Sequence, residues 1–339
     1  YMNQSAKITA IEYVLPAQTL SNEDLARDFP EWNVDKIFGK TGINKRQVVG
    51  VDECASDLAF QACEKLIHAV NIERSDIDFI ILCTQSPDYF LPATACILQD
   101  RLGLSTHCGA FDFNQGCSGF IYGLGLAKGL IETGQAKNVL LVTADTYSKY
   151  IHPADKSVRT LFGDAAAATL IQAVAGGPFI DRFRYGTDGA GAKNLIVPIG
   201  GARNPSALNP APELYTDDSG NVRTDANLYM NGAAIFEFSM TRIPELLGLI
   251  FDDAFTVDDV DLFAFHQANK FMLDSLRRRI KLPAEKFICE FEHCGNTVSS
   301  SIPVALKESL NNGVLSAGKT VVGVGFGVGY SWAGCVIKW

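Results

Sequence analysis

Phe113-Asn114-Gln115-Gly116-Cys117-Ser118-Gly119-Phe120 is the stretch from which the fold is read. The short, mostly apolar run Ala110 to Phe113 predicts a buried strand. Ser118 to Thr133 predicts a helix, stopped by Gly134. Cys117 therefore falls at a strand-to-helix turn. Unpaired N–H groups at a helix start favour negative charge, and such a setting lowers a thiol from about 8.5 toward neutrality. Gly116 and Gly119 lack Cβ atoms on either side, which predicts open approach to the sulfur. From Ser118 to Ala127 the helix carries no charge. Phe120, Leu124, Ala127 and Ile131 mark one face, and Gly119 and Gly123 form a small-residue seam. A buried helix, closely packed by another backbone, is expected. On local grounds alone, a buried and inert cysteine is the other reading of Cys117.

The rest of the chain suits that beginning. With 339 residues there is room for two domains or one large duplicated one. A net charge of −9 argues against nucleic acid or an anionic membrane as the main partner. No run of about 20 apolar residues and no signal-peptide pattern occurs, so a cytoplasmic protein is expected. The nine cysteines include no C-x-x-C pair, and Cys83, Cys96, Cys289 and Cys335 lie in apolar runs. Reduced buried thiols are expected, with no disulfide framework and no metal site.

Strands are predicted at Lys7 to Leu15, Ile77 to Cys83, Asn138 to Ala144, Val260 to Phe265 and Phe287 to Glu290. Helices are predicted at Asn22 to Phe29, Ala55 to Val70, Ala93 to Leu102, Ala233 to Phe255, Asn269 to Ile280 and Ser299 to Leu310. Phe162-Gly163-Asp164 leads into an alanine-rich strand. Tyr89 to Pro92 reads as an exposed aromatic loop. The segment 200–227 is rich in Gly, Asn, Pro and Asp and reads as a long surface excursion, of the kind that carries specificity. Lys319 to Val324 and Ser331 to Trp339 read as antiparallel strands joined through Gly325 to Gly329. Strand and helix alternate in both halves, 1–175 and 176–339, which implies an α/β protein with a mostly parallel sheet in each.

Two further residues end elements where ligands bind. His266 closes an apolar strand in Phe263-Ala264-Phe265-His266-Gln267-Ala268-Asn269, and a strand end opens into the crevice that α/β proteins use. A core histidine bonded to backbone is the alternative. Asn296 lies just before a helix in Gly295-Asn296-Thr297, where a plain capping role is the alternative. The order Cys, His, Asn is also that of papain-like proteases. Their cysteine, however, lies near the mature N-terminus in a different motif. The alternating glycines from Gly323 to Gly329 do not make a dinucleotide fingerprint, which fails at Val328.

Taken together, Gly-Cys-Ser-Gly-Phe, His-Gln-Ala-Asn, Gly-Asn-Thr with Ser-Ile-Pro, Phe-Gly-Asp and the late Gly325-Phe326-Gly327-Val328-Gly329 resemble the β-ketoacyl-acyl carrier protein synthase III group of the thiolase superfamily. Trp32, Lys40-Thr41-Gly42-Ile43 and Arg46 fit it too. The resemblance implies a thiolase-like fold of two pseudo-duplicated βαβαβαββ halves, in a five-layered α-β-α-β-α arrangement, in a homodimer. It implies an acyltransferase with no cofactor of its own, whose substrates are coenzyme A thioesters. Cys117 would take an acyl group from acyl-CoA, with Gly327 and Val328 helping to hold the oxyanion. His266 and Asn296 would hold the thioester carbonyl of a malonyl group on acyl carrier protein, and Phe326 would pack near its carboxylate.

Trp32, Lys156, Asn269 and Phe271 would line the substrate path, with Leu91 capping the partner's acyl pocket. Lys270, Arg277, Arg278, Arg279 and Lys281 would dock the acidic carrier protein. Phe271 replaces the family's usual arginine, and Lys156 another. Gln115-Gly116 replaces a more common alanine pair, and Ala165 and Ala167 replace glycines. Such changes suggest a specialised member. A second reading keeps Cys117 but moves the acyl group to an oxygen or nitrogen acceptor, without condensation.

Overall fold

The structure is a computed structural model and describes residues 4–339. Its first half runs β1 (Gln4–Val14), β2 (Gln18–Ser21), α1 (Asn22–Asp28), α2 (Val34–Thr41), β3 (Lys45–Val48), α3 (Ala55–Val70), β4 (Phe79–Cys83), α4 (Thr94–Arg101), β5 (Gly109–Phe113), α5 (Gly119–Glu132), β6 (Asn138–Asp145), α6 (Lys156–Arg159) and β7 (Ala165–Ala175). Its second runs β8 (Ile180–Thr187), β9 (Leu195–Ile196), β10 (Tyr215–Thr216), β11 (Val222–Arg223), β12 (Tyr229–Met230), α7 (Gly232–Ile250), β13 (Leu262–Phe265), α8 (Lys270–Ile280), α9 (Ser301–Asn311), β14 (Thr320–Gly327) and β15 (Ser331–Lys338).

One sheet has the order β1-β7-β6-β4-β5 and the other β13-β14-β15-β8. Both are mixed, not mostly parallel: β4 runs parallel to β5 and β6, and β13 to β14, while the remaining neighbours are antiparallel. The short turn between β14 and β15 explains part of this, since only a long crossover can return a chain parallel to itself.

Side chains alternate across each strand and so feed two cores. Ile81 of β4 points inward to a core shared by Phe120, Ile121 and Leu124 of α5, Ile302 and Leu306 of α9, and Leu262 and Val321 of the second sheet. Ile80 and Leu82 point outward to Leu58 and Leu66 of α3 and Leu98 of α4. On the far side, Ile243 and Leu246 of α7 and Leu273 and Leu276 of α8 cover Phe263, Phe265, Val322 and Val324. The layers are therefore α-β-α-β-α, and each buried Leu, Ile or Phe contributes about 1.5–3 kcal/mol.

Three further expectations need correcting, and a fourth needs an addition. Phe287 to Glu290 is no strand: it makes one bridge to Phe263, after which the Glu290 N–H goes to the Gln267 side chain at 2.6 Å and the ladder stops. The helix from Gly232 ends at Ile250, where Asp252 and Phe255 exchange backbone hydrogen bonds in a tight turn. Cys96 and Cys289 are exposed, although all nine cysteines are free thiols. The excursion 200–227 lies on the surface, yet it is pinned. Arg223 is buried and pairs with Asp155 at 2.7 Å and Asp217 at 2.8 Å. The Tyr215 and Tyr229 rings lie beside its guanidinium. Among the described residues no helix is long and apolar enough to cross a membrane.

Candidate active site

The loops after β5 and β13, the end of β14 and the loop before α9 converge on one cavity. Cys117, His266, Asn296, Asn269, Phe326 and Gly327 are among its lining residues. Cys117 lies two residues before α5, whose N-cap Ser118 bonds the Ser331 hydroxyl at 2.6 Å across the two halves. Gly327 faces the sulfur so closely that a Cβ there would sit 3.1 Å from it. Only glycine leaves that wall clear.

His266 follows β13, and its backbone N–H donates to Val324 at 2.7 Å. Its Nδ1 lies 2.7 Å from the Ser301 hydroxyl. Its Nε2 lies 3.4 Å from Asn296 Nδ2, a separation longer than a good hydrogen bond. The Phe326 ring meets the imidazole edge-on at 5.6 Å. Asn296 is pinned by its own backbone, which bonds Leu161 at 2.8 Å and Gly163 at 3.0 Å. Its Oδ1 accepts from the Val298 N–H at 2.9 Å. That bond turns the amide so that its N–H groups face His266 and the cavity. Val298 itself is held at φ +55°, a left-handed conformation costly for a β-branched residue.

The local electrostatics differ from the expectation for Cys117. Burial, with the Asp145 carboxylate second, pushes its thiol well above the ordinary range. Desolvation therefore outweighs the helix start. Asp145 is itself raised to about 7 by burial, opposed by its bonds from Ser299 and Gln85. Burial lowers His266 to about 3, so its ring is neutral. The glycine flanks also serve otherwise than expected. A Cβ on Gly116 would meet the Gln85 side chain and Val328, one on Gly119 the Cys83 sulfur, and one on Gly123 the Leu141 side chain. These glycines admit neighbouring side chains, not a substrate or a second backbone.

Comparison with known proteins places the chain in a family. The family model for 3-oxoacyl-[acyl-carrier-protein] synthase III matches residues 111–189, and its C-terminal model residues 251–339. The β-ketoacyl-[acyl-carrier-protein] synthase III of Caldanaerobacter subterraneus is 36% identical over 335 residues, covering 96% of this chain and 95% of that protein. The chain belongs to the 3-oxoacyl-[acyl-carrier-protein] synthase III family. A crystal structure of a 3-oxoacyl-(acyl-carrier-protein) synthase III superposes with a TM-score of 0.96 at 51% identity, covering 99% of this chain and 100% of that one. The 3-oxoacyl-(acyl-carrier protein) synthase of Burkholderia xenovorans superposes at 0.90 with 36% identity, covering 99% and 95%. The thiolase-like fold and the acyltransferase class stand with that membership. The protease and nucleotide-binding readings fall away, and acyl transfer to oxygen or nitrogen is not favoured.

The other residues expected from the synthase III resemblance are placed unevenly. Asn269 lines the cavity and caps α8, its Oδ1 accepting from Met272 at 2.9 Å. Val328 lies beside the apolar cluster around Cys117. Trp32 is buried: Phe29 stacks on it at 4.4 Å and the Lys156 ammonium sits over its ring at 5.9 Å, so no face is left open. Leu91 is 82% exposed on its loop and does not line this chain's cavity. Phe271 is exposed and stacks on Phe236 at 5.1 Å. Along α8, Arg277 reaches the Leu282 carbonyl and Arg279 the Met240 carbonyl, while Lys270, Arg278 and Lys281 are exposed.

Two neighbours of the site were not singled out from sequence. Tyr147 is buried in the cluster around Cys117, its hydroxyl bonded to Gln85. Ser301 stands inside the serine run, which reads as no more than a helix start. No group of His, Cys, Asp and Glu that could hold a metal occurs among the described residues.

Proposed function

We propose that this enzyme condenses an acyl group from acyl-CoA with malonyl-acyl carrier protein, using Cys117, His266 and Asn296. The observation that carries the reading is a buried sulfur sharing one cavity with a neutral imidazole and a carboxamide. Cys117 attacks the thioester carbon, and the C–S bond to coenzyme A breaks. The proton lost by Cys117 ends on the coenzyme A sulfur. The Cys117 N–H and a backbone N–H of the turn after Gly327 face the tetrahedral oxyanion.

Malonyl thioester then enters. Its C–CO2 bond breaks and the electron pair moves into an enolate, whose oxygen accepts from His266 and Asn296. The carbanion attacks the acyl carbon, and Cys117 leaves as thiolate to be reprotonated. Phe326 excludes water near the departing carboxylate.

No cofactor of its own takes part; coenzyme A thioesters are substrates. Arg278, Lys281 and Lys270, with Arg277 and Arg279 fixed beside them, form the docking face for the acidic carrier protein. The enzyme works as a cytoplasmic homodimer, with Leu91 and its exposed neighbours Tyr89 and Phe90 covered by a second copy. Residues 1–175 and 176–339 act as the two halves of one catalytic unit, and 200–227 as its specificity segment. The test is intact-mass measurement after incubation with acyl-CoA donors: wild type gains an acyl adduct and Cys117→Ala does not. A normal adduct on the variant overturns the assignment.

A further inference from the structure

Resting on that reading, we propose that Ser301 is a positioning residue that fixes the protonated nitrogen of His266. The argument is an accounting of hydrogens in a buried place. Ser301 is buried, and its hydroxyl oxygen already accepts from the Gln267 N–H at 3.2 Å. The other bond recorded for that hydroxyl is to His266 Nδ1 at 2.7 Å. If Nδ1 carried the proton, the serine hydrogen would be left with no acceptor among the described residues. Buried polar hydrogens are rarely left so. The hydroxyl therefore donates to Nδ1, and the ring's single proton resides on Nε2.

That assignment explains the far side of the ring. Asn296 Oδ1 is occupied by the Val298 N–H, so the Asn296 group facing Nε2 is an N–H donor. Two donors stand 3.4 Å apart without bonding well, and both point toward the cavity. The pair is then a site for one acceptor oxygen, as an enolate requires. Had Nδ1 held the proton, Nε2 would present a lone pair to that oxygen and repel it. The relay Gln267 N–H to Ser301 to His266 thus selects the electrostatic sign of half the site, through a residue that touches no reacting atom.

Two measurements test this. Nitrogen-15 NMR of the wild-type enzyme, selectively labelled at histidine, is expected to show His266 with its proton on Nε2; a proton on Nδ1 overturns the proposal. This readout needs no substrate, so it is independent of whether the condensation reading holds. For the second, Ser301→Ala is expected to form the acyl-enzyme as wild type does, but to condense with malonyl-acyl carrier protein about ten- to a hundredfold more slowly. Ser301→Thr, which keeps the hydroxyl, is expected to restore most of the rate. Condensation by Ser301→Ala at the wild-type rate overturns the proposal. An absence of carbon dioxide release by wild type refutes the condensation reading instead, leaving the tautomer to the spectrum.

Discussion

Asn296 can be made to report catalysis and folding separately. Its side chain has two occupations: Oδ1 holds the Val298 N–H at 2.9 Å, and Nδ2 faces His266 and the cavity. Asn296→Ala ends both. Loss of one preorganised donor to a developing oxyanion costs about 2.7–4 kcal/mol, or roughly 10²–10³ in rate. Loss of the acceptor leaves the buried Val298 N–H unpaired, at about 1–3 kcal/mol of stability. That bond also helps to hold Val298 at φ +55°, so the turn is expected to relax. Asn296→Asp ends only the second, the donor facing His266, because a carboxylate oxygen still accepts from Val298. Measured at pH 8, where that bond favours the anion, both variants should condense about 10²–10³ more slowly. Both should still acylate Cys117, and only the alanine variant should lose stability in urea denaturation. Rates come from carbon dioxide release, and acylation from intact mass. Condensation by Asn296→Asp within about tenfold of wild type would refute the donor role assigned here.

Arg223→Met should destabilise the fold by about 3–5 kcal/mol, because it strands the buried Asp155 carboxylate. It should also open 200–227 to limited proteolysis; an unchanged digestion pattern contradicts the pinning. His266 has a folded pKa of about 3, below its unfolded value. Its contribution to stability is therefore complete above about pH 6.5 and declines as the pH falls toward 3, by about 1.4 kcal/mol per unit. A His266→Gln variant should lack that slope, and equal slopes in the two proteins argue against a neutral ring. Arg278→Glu with Lys281→Glu should weaken carrier-protein binding, most strongly at low salt. A titration showing no change removes the docking face.

Much of the site can be read along the chain because each reactive residue ends a strand or begins a helix. Cys117, His266 and Asn296 stand at such boundaries: Cys117 follows β5 of one sheet, His266 follows β13 of the other, and Asn296 precedes α9. The packing of the two halves brings them to one cavity. What local pattern cannot carry is what arrives from elsewhere. The thiol of Cys117 depends on Asp145 and on burial, neither visible at the turn. Trp32 loses its open face to Phe29 and Lys156, the latter distant in sequence. The segment 287–290 has strand-like residues but loses its ladder to one glutamine side chain. Arg223 looks like an ordinary loop cation until Asp155 and Asp217 enclose it. Ser301 gains meaning only once His266 is beside it.

The place of β1 has a consequence for the making of the protein. Its partner is β7, with Gln4 opposite Ala175 and Val14 opposite Ala166. A ribosome adding roughly 5–20 residues per second releases β1 about ten to thirty seconds before β7 emerges. Meanwhile Ile8 and Ile11, destined for the interior, have no permanent shelter. Helix α9, which shares a core with them, comes later still. Nascent chains of this enzyme thus expose that strand during elongation, and slowing translation should raise the aggregated fraction.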